Sequence, residues 1–395
     1  MSRSILTQYT MWPYPDATGS DAITVAPSLE AYNLANDQAI IWPDRPYRSK
    51  LNVLVAGCGT LEAFAVAHSN PEMQVTGIDI SASSLDHAKY FARQHHLSNL
   101  ELLELDLRHA ATLARKFDLV ICSGVLHHLP DPQDALMALG SVLEDDGALL
   151  LSVYRRHSRL GVYMIQDALR HLEVGHGQGE VDFARNVLAL LWPGHPLFAN
   201  TPRDAILQGS DTDIVDTFLN SHDRPFTVGE VLDLVQQAGL SFQCWLDNSE
   251  YYPDAHIAAT SALGQRLQAR PRNEQWAVVE LLCGIPGRHR LVVKKTIAQV
   301  TDIDELLSTD KALDLKAGLR SDVRITGVAS KHPELRRQWL RMELTQTQAA
   351  IVLQMDGSKR LRDLAGMQDP QNAMGASVLS FVRTLWRCGY LIVYT

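Results

Sequence analysis

The residues able to do chemistry stand where short apolar runs end. Val53-Leu54-Val55-Ala56 leads straight into Gly57-Cys58-Gly59-Thr60. Glycines there permit a tight turn and let a ligand lie against bare backbone at the start of a helix. About twenty residues on, Val75-Thr76-Gly77-Ile78 ends in Asp79-Ile80, a carboxylate placed to accept both hydroxyls of a nucleoside ribose. A third run ends in Glu104-Leu105-Asp106-Leu107, which sets Asp106 where an adenine amino group can donate to it. A fourth, Phe117-Asp118-Leu119-Val120-Ile121-Cys122, opens into Ser123-Gly124 and then Val125-Leu126-His127-His128. An imidazole titrates near neutral pH, so either histidine can serve as general base; a gate or a packing role is the alternative. The fifth run closes on Tyr154, Arg155 and Arg156.

Holding these groups requires strands with covering helices. The apolar runs predict strands over 51–56, 74–80, 100–105, 117–122 and 148–153. Helical spacing between them predicts helices over 61–68, 83–95 and 132–143. Farther on, Val228, Val231, Leu232, Leu234 and Val235 form one stripe of a helix over 227–238, capped by Gly239. Strands over 240–246 and 290–295 complete a seven-stranded α/β sheet of Rossmann-like type. Residues 155–225 read as an insertion with one strong amphipathic helix over 160–172, and 254–284 as a second helical excursion. The expected organisation is an aromatic arm and helix over 1–50, a sheet domain over 51–296 and a small α+β domain over 300–395.

The ordered series at Gly57/Gly59, Asp79, Asp106, Ser123/Gly124 and Leu143–Gly147 resembles the class I S-adenosylmethionine (SAM)-dependent methyltransferase family. A Gly-x-Gly turn alone is shared with NAD-binding proteins; five successive motifs are far more specific. The resemblance implies SAM as cofactor, with S-adenosylhomocysteine (SAH) as product. By it Ala56, Gly57, Cys58 and Gly59 line the methionine part, Asp79 and Ile80 the ribose, and Asp106 and Leu107 the adenine. Ser123 and Gly124 lie beside the sulfonium. Two departures stand out: the family has an acid at or near Val55 and a third glycine at Leu61. Losing the acid weakens capture of the SAM amino group, and Leu61 either crowds or packs the helix–sheet contact.

Gln8-Tyr9-Thr10-Met11-Trp12-Pro13-Tyr14-Pro15 resembles, in part, the aromatic segment that precedes the SAM domain in methyltransferases of the rickettsial protein-lysine group. Tyr9, Trp12 and Tyr14 then cap SAM or cage an ammonium, or else pack on the core. The implied acceptor is a side-chain nitrogen of a protein or peptide; a small-molecule O- or N-acceptor is the alternative. A non-catalytic SAM- or peptide-binding protein is a minor one. His127, His128, Tyr14 and Tyr154 are the candidate catalytic residues. No histidine or cysteine spacing calls for a metal.

A net charge of −9 argues against a surface built to neutralise phosphates, so no nucleic-acid partner is expected. No apolar run reaches bilayer length, and residues 1–8 lack the apolar stretch of a signal peptide. Five scattered cysteines read as free thiols in a cytoplasmic protein. The last domain, read as helices over 344–355 and 376–386, a turn at Asp356-Gly357 and a final strand, is winged-helix-like. It is expected to bind peptides by strand addition or to dimerise.

Overall fold

The computed structural model describes residues 3–16, 32–298, 300–364 and 373–395. They form two compact units. The first comprises Met1–Leu34, Ser49–Phe242 and Gly284–Gln299, the second Ala35–Arg48, Gln243–Cys283 and Val300–Thr395. The division differs from a single boundary near 300: residues 243–283 group with the C-terminal segment.

A seven-stranded sheet is formed by strands β1 (Asn52–Ala56), β2 (Gln74–Asp79), β3 (Leu100–Glu104), β4 (Phe117–Ser123), β5 (Leu143–Tyr154), β6 (Leu240–Trp245) and β7 (Arg288–Lys295), in the order β3-β2-β1-β4-β5-β7-β6. The first five pair in parallel, and β7 runs antiparallel to β5. Central parallel strands are covered on both faces, which is why β1 and β4 read as unbroken aliphatic runs. Val53, Leu54, Val55, Leu119 and Val120 are fully buried. β5 begins at Leu143 rather than 148, because residues 144–147 continue the ladder through a register shift opposite Phe117 and Leu119.

Helices follow the strands where expected. They are α1 (Arg3–Met11), α2 (Glu62–Ser69), α3 (Ala82–Gln94), α4 (Pro132–Ser141), α5 (Leu160–His171), α6 (Gln178–Leu190), α7 (Asp211–Phe218) and α8 (Val228–Gln237). Their starts are set by local chemistry. The Ser81 hydroxyl accepts from the Ser84 N–H, Asp131 caps α4 with Pro132 in its first turn, and Thr227 and Glu230 form a capping box on α8. The insertion carries a core of its own: Ile165, Leu169, Val181, Leu188, Ile214 and Phe218 pack together, and Trp12 of the arm packs on them.

The second unit holds helices α9 (Ala262–Gln268), α10 (Arg272–Cys283), α11 (Gln346–Val352) and α12 (Ala373–Arg387). Its two antiparallel sheets are β9 (Arg324–Thr326) with β10 (Glu334–Arg337) and β11 (Leu340–Glu343), and β8 (Lys316–Leu319) between β12 (Asp356–Arg360) and β13 (Leu391–Tyr394). Asp356-Gly357, expected as a turn, opens β12 instead. The 247–254 segment, although rich in polar and acidic residues, is largely interior: Tyr251 stacks on Trp245 at 3.8 Å, and Arg337 forks onto the Asp247 carboxylate at 2.8 and 2.9 Å. No helix among the described residues is long and apolar enough to cross a membrane.

Candidate active site

A cavity of about 410 Å³ opens at the C-terminal ends of β1, β2 and β4, within the first unit. Gly57, Cys58, Gly59, Asp79, Ile80, Leu107, Ser123 and Gly124 all line it. The turn needs its glycines: Gly57 and Gly59 have φ of +71° and +54°, and a Cβ on Gly59 would stand 2.5 Å from the Tyr14 carbonyl oxygen. Asp79 accepts hydrogen bonds from the Gly59 and Ser81 N–H groups, both at 2.9 Å. Burial still pushes its carboxyl above the usual value, against those bonds. Ala56 is fully buried beneath the turn and does not face the cavity.

Asp106 sits elsewhere than expected. Leu105 and Leu107 line the cavity, whereas the Asp106 carboxylate caps the following 3-10 turn and takes a fork from Arg108 at 2.7 to 3.2 Å. Burial raises its pKa, but the Arg108 bonds outweigh that and hold it below the usual carboxylate value.

The N-terminal arm closes the cavity from above. The Thr60 N–H donates to the Tyr14 carbonyl at 3.1 Å, the Thr60 hydroxyl to the Pro15 carbonyl at 2.8 Å, and the Ser81 hydroxyl to the Tyr9 carbonyl at 2.9 Å. Ile5, Tyr9, Tyr14 and Pro15 thereby become lining residues. The Tyr9 hydroxyl donates to Asp216 of α7 at 3.0 Å.

The two histidines separate by environment. His128 lines the cavity; its Nδ1 lies 3.0 Å from the His222 carbonyl, and its Nε2 lies 3.9 Å from Asp216. A carbonyl can only accept, so Nδ1 carries a proton, and Nε2 is the nitrogen that faces the carboxylate. His127 is fully buried, accepts from the Tyr154 N–H at Nδ1 and lies under the Tyr154 ring at 3.8 Å. Burial first, then the charge of His128, drives its pKa well below the usual value. His127, His128 and Asp223 each bring one ligand-type atom within 4.8 Å of the others, yet Asp223 already accepts from Gln166 at 3.0 Å and Arg159 at 3.3 Å.

A second cavity of about 470 Å³ adjoins the first. Tyr14, Tyr154 and Arg288 line both. Its other walls come from the insertion (among them Ser158, Arg159, Gly161, Val162, Ile206 and Asp213) and from Pro286-Gly287. Arg159 covers the Tyr154 ring at 3.6 Å, and Arg288 stands 5.4 Å from its centre.

Glu62, Tyr32, Asp216 and Arg288 line these cavities without having been singled out in the sequence. Asp216 left a trace: it is an acid on the buried side of α7, beside Ile214, Val215 and Phe218. Glu62 follows Leu61 directly, at the start of α2.

A family model described as a methyltransferase domain matches residues 48–185. An uncharacterised protein of Synechococcus is 28% identical over 250 residues, 60% of this chain and 58% of its own length. A ubiquinone biosynthesis O-methyltransferase of Haemophilus ducreyi is 37% identical over 120 residues, 29% of this chain and 48% of its own. The chain thus spans about half the length of these relatives. Among solved structures, PKMT2 from Rickettsia typhi superposes with a TM-score of 0.62 at 16% identity, covering 92% of this chain and 75% of that one, a likeness of fold.

Proposed function

We propose that residues 48–185, which match a methyltransferase-domain model, form a class I, SAM-dependent methyltransferase domain, and that the chain transfers a methyl group from SAM to a heteroatom of a compact acceptor held in the second cavity. The observation that carries this is the junction of two cavities at Tyr14, Tyr154 and Arg288, with His128 and Asp216 on the cofactor side. Bound SAM supplies an electrophilic methyl on a sulfonium, which the acceptor attacks in line as the methyl–sulfur bond breaks and SAH is left. The protein's own part is to place and dry the two reactants, which in general supplies much of such a rate.

The glycine turn, Asp79 and the Leu105/Leu107 pair fit an adenosyl ligand in shape and donor set. The Nε2 lone pair of His128 takes the proton that the acceptor loses, and Asp216 at 3.9 Å steadies the imidazolium. His127, fully buried and held to the Tyr154 backbone, orients rather than reacts. On this account His128→Gln lowers kcat by about a hundredfold and leaves SAH affinity within about twofold.

The size of the second cavity lies in the range of small-molecule sites. Arg159 and Arg288 in its wall outnumber the one carboxylate there, Asp213, which suits a neutral or anionic oxygen or nitrogen acceptor. A second reading, a protein side-chain amine, is supported by the rings of Tyr9, Tyr14 and Tyr154 around the Asp216 carboxylate. Transfer of radiolabelled methyl from SAM into cell extract tests both. Counts in the soluble fraction that vanish with Asp79→Ala support the small acceptor, and counts in precipitated protein support the second reading. No counts in either fraction from any extract would sink the enzymatic reading.

A further inference from the structure

The charged groups that line the cofactor cavity are nearly all committed. Asp79 accepts from two backbone N–H groups, and Asp216 from Tyr9 with His128 beside it. Two are left. Glu62 and Arg288 both face the cavity, and neither side chain makes a hydrogen bond or ion pair with any described residue. Arg288 is held only over the Tyr154 ring. They share that cavity with Tyr32, and the Arg288 charge lowers the pKa of both Glu62 and Tyr32 against the burial that raises them.

Glu62 and Arg288 are both half-buried, and holding a carboxylate and a guanidinium partly out of water without pairing them is costly. Opposite charges that share a cavity and stay unpaired fit a ligand with both charges of its own. The cavity has the matching polarity along its length. Ile80, Leu105 and Leu107 form an uncharged end, Asp79 stands by the glycine turn, and Glu62 begins the helix that follows that turn.

Resting on the cofactor reading above, we propose that Glu62 and Arg288 are the subsite for the amino-acid end of SAM. Glu62 takes the ammonium and Arg288 the carboxylate, in place of the acid missing at Val55. The strand end cannot supply that charge, since Val55 is fully buried between its neighbours. The first turn of α2 supplies it from the other side of the Gly57–Gly59 loop.

Equilibrium binding separates this from the cofactor reading. The probes are SAH, methylthioadenosine (which lacks the amino-acid end) and SAH analogues lacking only the ammonium or only the carboxylate. Wild type is expected to prefer SAH over methylthioadenosine by about a hundredfold, the scale of two charge-assisted bonds. Glu62→Gln and Arg288→Met should each cost SAH about tenfold or more, with methylthioadenosine affinity within about twofold of wild type. That retained binding also shows that each variant is folded. The analogue without ammonium should be indifferent to Glu62→Gln and sensitive to Arg288→Met, and the analogue without carboxylate the reverse. An SAH preference that survives both substitutions overturns the assignment while leaving the cofactor reading intact. Wild type that binds neither SAH nor methylthioadenosine overturns both.

Discussion

The two adjoining cavities are built in opposite ways. The cofactor cavity is lined mostly by strand ends and the turns and helix starts that follow them, so most of its lining residues sit within a few positions of a strong local pattern. The second cavity is lined by the insertion and by Pro286-Gly287, segments brought together only by the packing of α5, α6 and α7. A parallel sheet fixes its C-terminal edge once the strands pair, so chemistry placed there is set by local sequence. A helical insertion fixes nothing until its core is made. The first cavity is therefore expected to be rigid and intolerant of substitution, and the second adjustable.

The largest effect should come from attacking the local design. Asp79→Ala removes a carboxylate that faces the cavity and also holds the Gly59 and Ser81 N–H groups. Two charge-assisted bonds at stake imply a loss of SAH affinity of about a hundredfold or more, read by calorimetry. Affinity within a few-fold of wild type would mean that the site is elsewhere and the contrast between the cavities is misplaced.

A smaller effect, confined to turnover, should come from filling the second cavity. Ile206 lines it and is only partly buried, at the edge of the insertion's core, so Ile206→Trp can place its added bulk in the void. Methyl transfer should fall about tenfold, mainly through KM for the acceptor, while SAH affinity stays unchanged. A fall in SAH affinity of the same size would show that the two cavities are one site in energetic terms.

The same contrast explains what could be read in advance. The sheet, its seven strands and the covering helices were legible because buried parallel strands and amphipathic helices have different periods. Gly57, Gly59 and Asp79 were legible because each is tied to a strand end. Asp106 misled: its position at the end of β3 is right, but Arg108 two residues on captures its carboxylate. Asp216, Arg288 and Tyr32 were not legible, since their approach to the cavity depends on contacts between segments far apart in the chain. The interior 247–254 segment could not be recognised as such in the sequence because five of its eight residues are polar or charged, and the Arg337 fork and the Trp245 stack are what bury it. In the second unit, β8 to β12 are three to five residues long and rich in charge, too short for alternation to show.

The smallest effect tests the electrostatic side of the contrast, and its sign is definite. Burial pushes the Glu62 carboxyl up to about 7, with Arg288 opposing. The unfolded chain ionises it at the ordinary value near 4.5. A folded pKa above the unfolded one means the ionised form is disfavoured by folding, so stability is lost as pH rises from about 4.5 through about 7. The groups that feel the Glu62 charge are moved away from that window. Burial lifts the Cys58 and Cys122 thiols and the Tyr32 hydroxyl, and a guanidinium keeps its charge. Glu62→Gln should therefore stabilise the ligand-free protein at pH 8 by about 1 kcal/mol, discounted for the water that reaches the cavity. The gain should shrink to nothing near pH 4.5. Urea melts of both proteins at several pH values measure it as a difference, in which titrations common to both cancel. A gain that is the same at every pH would mean that Glu62 is not strained by its surroundings. The cofactor cavity would then hold no unpaired charge waiting for a ligand.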